Sequence, residues 1–115
     1  MKGEMDFREP RALSSSYDSC YLLDSGEDCA ACLSEDTGIR MTVSTDMPAM
    51  QLYTGDGLKD AVGKDGKTIG RRSGVCFETQ FPPDSPNNWF SEMCILRKGE
   101  VYDRRTVFSF SVQEG

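Results

Sequence analysis

Hydrophobic and polar residues alternate with a period of two in several separate stretches of the chain, and no apolar repeat at helical spacing is long enough for an ordinary helix. Arg40 to Thr45 alternates cleanly, with Met41 and Val43 on one face and Arg40, Thr42 and Ser44 on the other. Thr106 to Val112 does the same: Phe108, Phe110 and Val112 are expected to face a core, and Val107, Ser109 and Ser111 to face outward. The short apolar run Cys29 to Leu33 reads as a buried strand. Ser34-Glu-Asp-Thr-Gly38, acidic and ending in glycine, reads as the hairpin connection to the strand that follows. The pattern predicts an all-β chain, an antiparallel β-sandwich.

Another strand-like run, Ser73-Gly-Val-Cys-Phe-Glu-Thr-Gln80, has a carboxylate at its centre. Alternation gives Val75, Phe77 and Thr79 one face and Cys76, Glu78 and Gln80 the other. Glutamate is depleted in strands and is almost never fully buried without a partner, which leaves two readings of Glu78: an exposed outward face or a polar site. The prolines of Pro82-Pro-Asp-Ser-Pro86 cannot donate to a ladder, so they end this strand and open an irregular excursion. Asp56 to Arg72, rich in Gly, Lys and Asp, reads as a long mobile loop. The Trp89-Phe90 pair is read first as core cover, with aromatic stacking on the face of a ligand as the alternative.

A chain of 115 residues is one domain at most, and 37% hydrophobic with 28% charged residues is a globular composition. Nineteen acidic against thirteen basic residues give a net charge of −6, which argues against nucleic acid or an anionic membrane as partner. No run approaches a membrane span, and Met1-Lys-Gly-Glu-Met-Asp6 lacks the apolar core of a signal peptide, so the cytosol is expected. The five cysteines, Cys20, Cys29, Cys32, Cys76 and Cys94, read as free thiols. Cys29-Ala-Ala-Cys32 has no second pair or histidine to complete a zinc site, and no metal is expected. Gly66-Lys-Thr68 fails as a phosphate loop because Ala61 stands where glycine is required. Arg71 and Arg72 read as a solvated face.

Six motifs in one order carry a resemblance: Asp6-Phe-Arg-Glu-Pro10, Tyr17-Asp18, Met47-Pro-Ala-Met-Gln-Leu-Tyr-Thr-Gly55, Glu78-Thr-Gln80, Pro83-Asp-Ser-Pro-Asn87, and Gly99-Glu-Val-Tyr102 before a final strand. Together they resemble the C-terminal part of the aldose 1-epimerases, or galactose mutarotases. The resemblance implies that residues 1–115 form a single partial domain, the C-terminal part of a galactose mutarotase-like β-supersandwich. It also implies a function, interconversion of the α and β anomers of a hexose such as galactose or glucose. In that family the glutamate of Glu-Thr-Gln is the general base at the anomeric hydroxyl, which assigns the role to Glu78. Asp18 and Gln51 match positions that hydrogen-bond sugar hydroxyls, and a carboxylate and an amide suit that work. No metal or organic cofactor is implied. Taken without the motif, Asp18 reads as a turn or cap residue and Gln51 as an exposed strand position.

The chain departs from the family in having no histidine, the residue type that supplies the family's acid. Ser19 stands where the family usually has histidine after Tyr-Asp, and Arg72 stands where close relatives often carry one. The expectation is a partial gene product, or a fragment, that encodes the base and sugar contacts but not the acid. Two further functional readings follow, a catalytically silent carbohydrate-binding remnant and a non-functional truncated product. A piece of such a sandwich exposes strand edges, so self-association, or pairing with a missing N-terminal portion, is expected.

Overall fold

Strands dominate the computed structural model of the protein, which describes residues 3–113. In chain order they are β1 (Asp18–Leu22), β2 (Gly26–Leu33), β3 (Ile39–Thr45), β4 (Ala49–Tyr53), β5 (Ala61–Val62), β6 (Thr68–Ile69), β7 (Cys76–Gln80) and β8 (Thr106–Val112). Helical structure among the described residues is limited to short 3-10 turns and the four-residue α1 (Ser91–Cys94). None of it is long and apolar enough to cross a membrane. The architecture is all-β, with strand orders β1–β4–β7, β2–β3–β8 and β5–β6. Contacts group the described residues into two compact units, one holding 3–19 and 52–77 and the other 20–51 and 78–113.

The second unit contains the β2–β3–β8 sheet, in which both pairings are antiparallel. The connection between β2 and β3 closes as a hairpin, with Gly38 N–H donating to Ser34 O at 2.8 Å and Ser34 N–H to Ile39 O at 2.9 Å. Gly38 turns there at a φ of +70°, and a Cβ on it would lie 2.8 Å from the Gln113 carbonyl oxygen, so both conformation and space demand glycine. Along β3 the expected alternation holds towards the C-terminal end, where Val43 and Thr45 are buried. Met41 is half-buried and Arg40 exposed.

A cluster of threonine hydroxyls ties this sheet to the strand bearing Glu78. Thr45 Oγ1 lies 2.8 Å from Thr106 Oγ1, and Thr106 Oγ1 lies 2.7 Å from Thr79 Oγ1. The Thr45 hydroxyl also lies 3.2 Å from the Arg105 carbonyl, to which it donates. Thr79 thus points towards the β3–β8 layer, and alternation along β7 turns Glu78 the other way.

Several apolar positions differ from expectation. Phe108, Phe110 and Val112 pair with Val43, Met41 and Ile39, as inward residues should, yet they are 44%, 69% and 68% exposed. The face is the apolar one, but no described residue covers its far end. For the same reason β2 is half-buried at Cys29, Ala30 and Cys32 rather than a buried strand. Burial nonetheless raises the Cys32 thiol above its ordinary value, which keeps it protonated at neutral pH. Of the Trp89-Phe90 pair only Phe90 is buried. Trp89 is 80% exposed, its ring 4.2 Å from that of Phe90.

In the first unit, Tyr17 is buried, edge-on to Phe7 at 5.2 Å, with its hydroxyl donating to Glu4 O at 3.0 Å. Its N–H donates to Thr54 Oγ1 at 2.9 Å, and the Thr54 hydroxyl donates in turn to Asp56. Asp56 also accepts from the Ser16 hydroxyl at 2.9 Å and Arg71 Nε at 3.2 Å, with Arg72 Nη1 at 3.7 Å. Arg71 and Arg72 are therefore not merely a solvated face. Arg72 also donates to the Leu13 and Ser15 carbonyls, tying the 13–16 segment down. The stretch from Asp56 to Arg72 is not without structure either, since β5 and β6 pair antiparallel within it around a 3-10 turn at Lys64–Gly66.

Two outcomes are expected. Gly38→Ala destabilises the hairpin by about 1–2 kcal/mol or more, since it adds left-handed strain to a carbonyl clash, and chemical denaturation reads the loss. The Thr54 hydroxyl, then Ser16, Arg71 and Arg72, hold the Asp56 carboxyl below the usual aspartate range. A depressed folded-state pKa contributes stability above the ordinary aspartate value that is lost as pH falls through the depressed one. Melts of the parent should drop over that acidic window. Asp56→Asn should melt lower near neutral pH and show a flatter acid limb.

Candidate functional site

Glu78 lies at the centre of β7 and is exposed, between Phe77 and Thr79, which are half-buried. The local cause is the alternation of the strand: the Thr79–Thr106 contact fixes one face inward, so the carboxylate is left facing solvent. Gln80, two residues on and therefore on the same face as Glu78, donates its amide to Cys20 Sγ at 3.8 Å. In the strand order β1–β4–β7 this contact passes over β4, the strand that carries Gln51. Gln51 is half-buried, and its carboxamide oxygen is fully shielded from solvent. Two of the expected site residues, Glu78 and Gln51, thus stand in one unit on neighbouring hydrogen-bonded strands.

Asp18 belongs to the first unit, where it opens β1 directly after the buried Tyr17 and is exposed. It is a strand residue, not a cap or turn residue. Anchoring of Tyr17 through its N–H to Thr54 fixes the backbone from which the Asp18 carboxylate projects.

Cys20 and Gln80 were not singled out as site residues from the sequence. The signal for Gln80 was present, because a period of two puts it on the same face as Glu78. No local pattern pointed to Cys20, which comes beside Gln80 from 60 positions away.

Chemically, the second unit offers a carboxylate open to approach, an amide that both donates and accepts, and a second amide whose oxygen is desolvated. Such a set suits hydrogen bonding to hydroxyl groups. Two surface clefts are lined by other residues, one by Asp6, Arg8 and Arg11 and the other by Met93, Leu96 and Tyr102. Among the described residues no three His, Cys, Asp or Glu side chains gather as a metal site.

Comparison with known proteins agrees with the resemblance. The aldose 1-epimerase family model matches residues 1–109. Mouse galactose mutarotase is 40% identical over 85 residues, which cover 73% of this chain and 25% of that protein. The bifunctional protein gal10 of Schizosaccharomyces pombe is 34% identical over 125 residues, covering 95% of this chain and 17% of that protein. Escherichia coli aldose 1-epimerase is 30% identical over 123 residues, or 91% of this chain and 36% of that enzyme. The chain therefore spans between about a sixth and about a third of the length of these relatives. On the family match and these identities, the chain belongs to the aldose 1-epimerase family.

Proposed function

We propose that the chain carries the base side of an aldose 1-epimerase site, with Glu78 as general base and Asp18 and Gln51 as sugar contacts. The two units are read as one partial domain, the C-terminal part of the family's β-supersandwich. The observation that carries the reading is the solvent-facing Glu78 of the Glu-Thr-Gln motif, one strand away from Gln51, in a chain matched by the family over 1–109. Ring opening of a cyclic hexose requires removal of the proton on the C1 hydroxyl and donation of a proton to the ring oxygen. As the C1–O5 bond breaks, the C1 hydroxyl oxygen forms the aldehyde carbonyl. Rotation about C1–C2 and reclosure then give the other anomer. An ionised carboxylate within hydrogen-bond reach takes the first proton and returns it on reclosure.

The ligand is a hexose, no cofactor takes part, and the setting is cytosolic, without nucleic acid or membrane as partner. None of Glu78, Asp18 and Gln51 is the acid. Its absence supports a second reading, a carbohydrate-binding remnant that holds sugar without turning it over, since the chain has no histidine.

Relaxation of freshly dissolved α-D-galactose or α-D-glucose towards anomeric equilibrium, followed by polarimetry, separates the readings. The expected result is acceleration over buffer that falls by about 10²-fold or more in Glu78→Gln, the size of one acid or base contribution. Sugar binding with a rate equal to buffer in both proteins would favour the binding remnant. Neither rate nor binding would remove both.

A further inference from the structure

Gln80 ends β7 half-buried, and among the described residues the Cys20 sulfur is its side chain's only hydrogen-bond partner, met by Nε2 at 3.8 Å. Sulfur is a weak acceptor, so this contact orients the amide without satisfying it. The carboxamide oxygen accepts from no described residue and is not shut off from solvent. A half-buried glutamine in that state turns outward an acceptor that packing does not use.

That oxygen belongs to the face shared by Glu78 and Gln51. β1 and β4 are hydrogen-bonded neighbours, and bonds from Thr54 N–H to Tyr17 O and from Leu23 N–H to Pro48 O make them antiparallel. The second bond sets Leu23 opposite Pro48, and counting back along both strands sets Cys20 opposite Gln51. Opposite residues share a face, so Cys20 and Gln51 lie side by side. Gln80 meets Cys20 across β4, which puts it on that face too, and Glu78 joins it by the period of two. The reverse face carries the buried Met50 and the inward Thr79. One face thus gathers a carboxylate, two amides and a thiol from β7, β4 and β1, all within the second unit.

We propose that Gln80 is a further sugar contact whose carboxamide oxygen accepts from a hexose hydroxyl, with Cys20 as the positioning residue that holds the amide nitrogen. This rests on Glu78 and Gln51 meeting a hexose, as proposed above. Side chains two apart on a strand stand about 6–7 Å from each other, and Gln80 leans further off over β4. Neighbouring hydroxyls of a pyranose are much closer together than that. With the C1 hydroxyl at Glu78, the hydroxyl at Gln80 is therefore one across the ring, on C3 or C4, and not the one on C2.

The test is a titration of the full chain with D-galactose and with its forms lacking the C2, C3 or C4 hydroxyl, read at the Glu78 carboxyl carbon. It compares the parent with Gln80→Leu, Cys20→Ala and Cys20→Ser. Gln80→Leu should bind galactose about three- to tenfold more weakly, the size of one neutral hydrogen bond. That penalty should vanish with the form lacking the C3 or the C4 hydroxyl and persist with the one lacking C2, a pattern that a purely structural role would not give. Cys20→Ala should lose part of the affinity, and Cys20→Ser, whose hydroxyl takes the same N–H, should regain it. Equal galactose affinity in the parent and Gln80→Leu, or a penalty that persists with the C3 and C4 forms alike, would overturn the contact while leaving Glu78 and Gln51 as read. Cys20→Ala with the parent's affinity would remove Cys20 from it. A parent without a saturable shift at Glu78 would overturn this contact and the reading beneath it together. Should Gln80→Leu fail to fold, the parent decides: its Gln80 side-chain amide stays in place with the C3 or the C4 form while Glu78 still shifts, and equal Gln80 shifts with every form contradict the contact.

Discussion

The Thr106 hydroxyl sits between those of Thr45 and Thr79 at 2.8 and 2.7 Å, joining β3, β8 and β7 through neutral groups. A hydroxyl donates once and accepts twice. With Thr45 donating to the Arg105 carbonyl and accepting from Met47 N–H at 3.1 Å, one proton order satisfies the chain: Thr79 donates to Thr106, and Thr106 to Thr45. Half-buried hydroxyls left without such partners would be costly, so β7 is held with Thr79 inward. The strand has no other way to turn, because a slip of one residue would bring Glu78 against the threonines and expose Thr79. The outward carboxylate is thus a consequence of where three hydroxyls meet.

Much of this was legible in the sequence because it depends on period two. The hairpin after Leu33, the strand at 40–45, the strand at 106–112 and the two faces of the Glu78 strand all follow from local alternation and turn chemistry. What failed was burial. Alternation says which residues share a face, not whether anything lies on that face, so Phe108, Phe110 and Val112 were expected in a core and are exposed. Trp89 shows the same limit, since an aromatic pair in sequence does not tell which ring is shielded.

The site was legible to a different degree. Nothing in composition or spacing distinguishes Gln51 from an ordinary strand glutamine, and it was singled out only through the motif around it. Its nearness to Glu78 depends on β4 being hydrogen-bonded to β7, a pairing across more than 20 residues that no local pattern encodes. The cluster on Asp56 was missed for a similar reason. Arg71 and Arg72 were read as a solvated face, but Arg72 adopts a left-handed backbone at φ 60°, and both guanidinium groups approach one carboxylate.

The central claim is that the Glu78 face of β7, together with Gln51, meets a hexose. The most direct measurement is a sugar titration followed by NMR, observing the Gln51 and Gln80 side-chain amides, the Glu78 carboxyl carbon and the Thr79 and Thr106 methyls. Galactose or glucose should shift the amides and the Glu78 carboxyl in a saturable way while the threonine methyls stay in place. Saturable shifts confined to other residues, or none at all, would contradict the account.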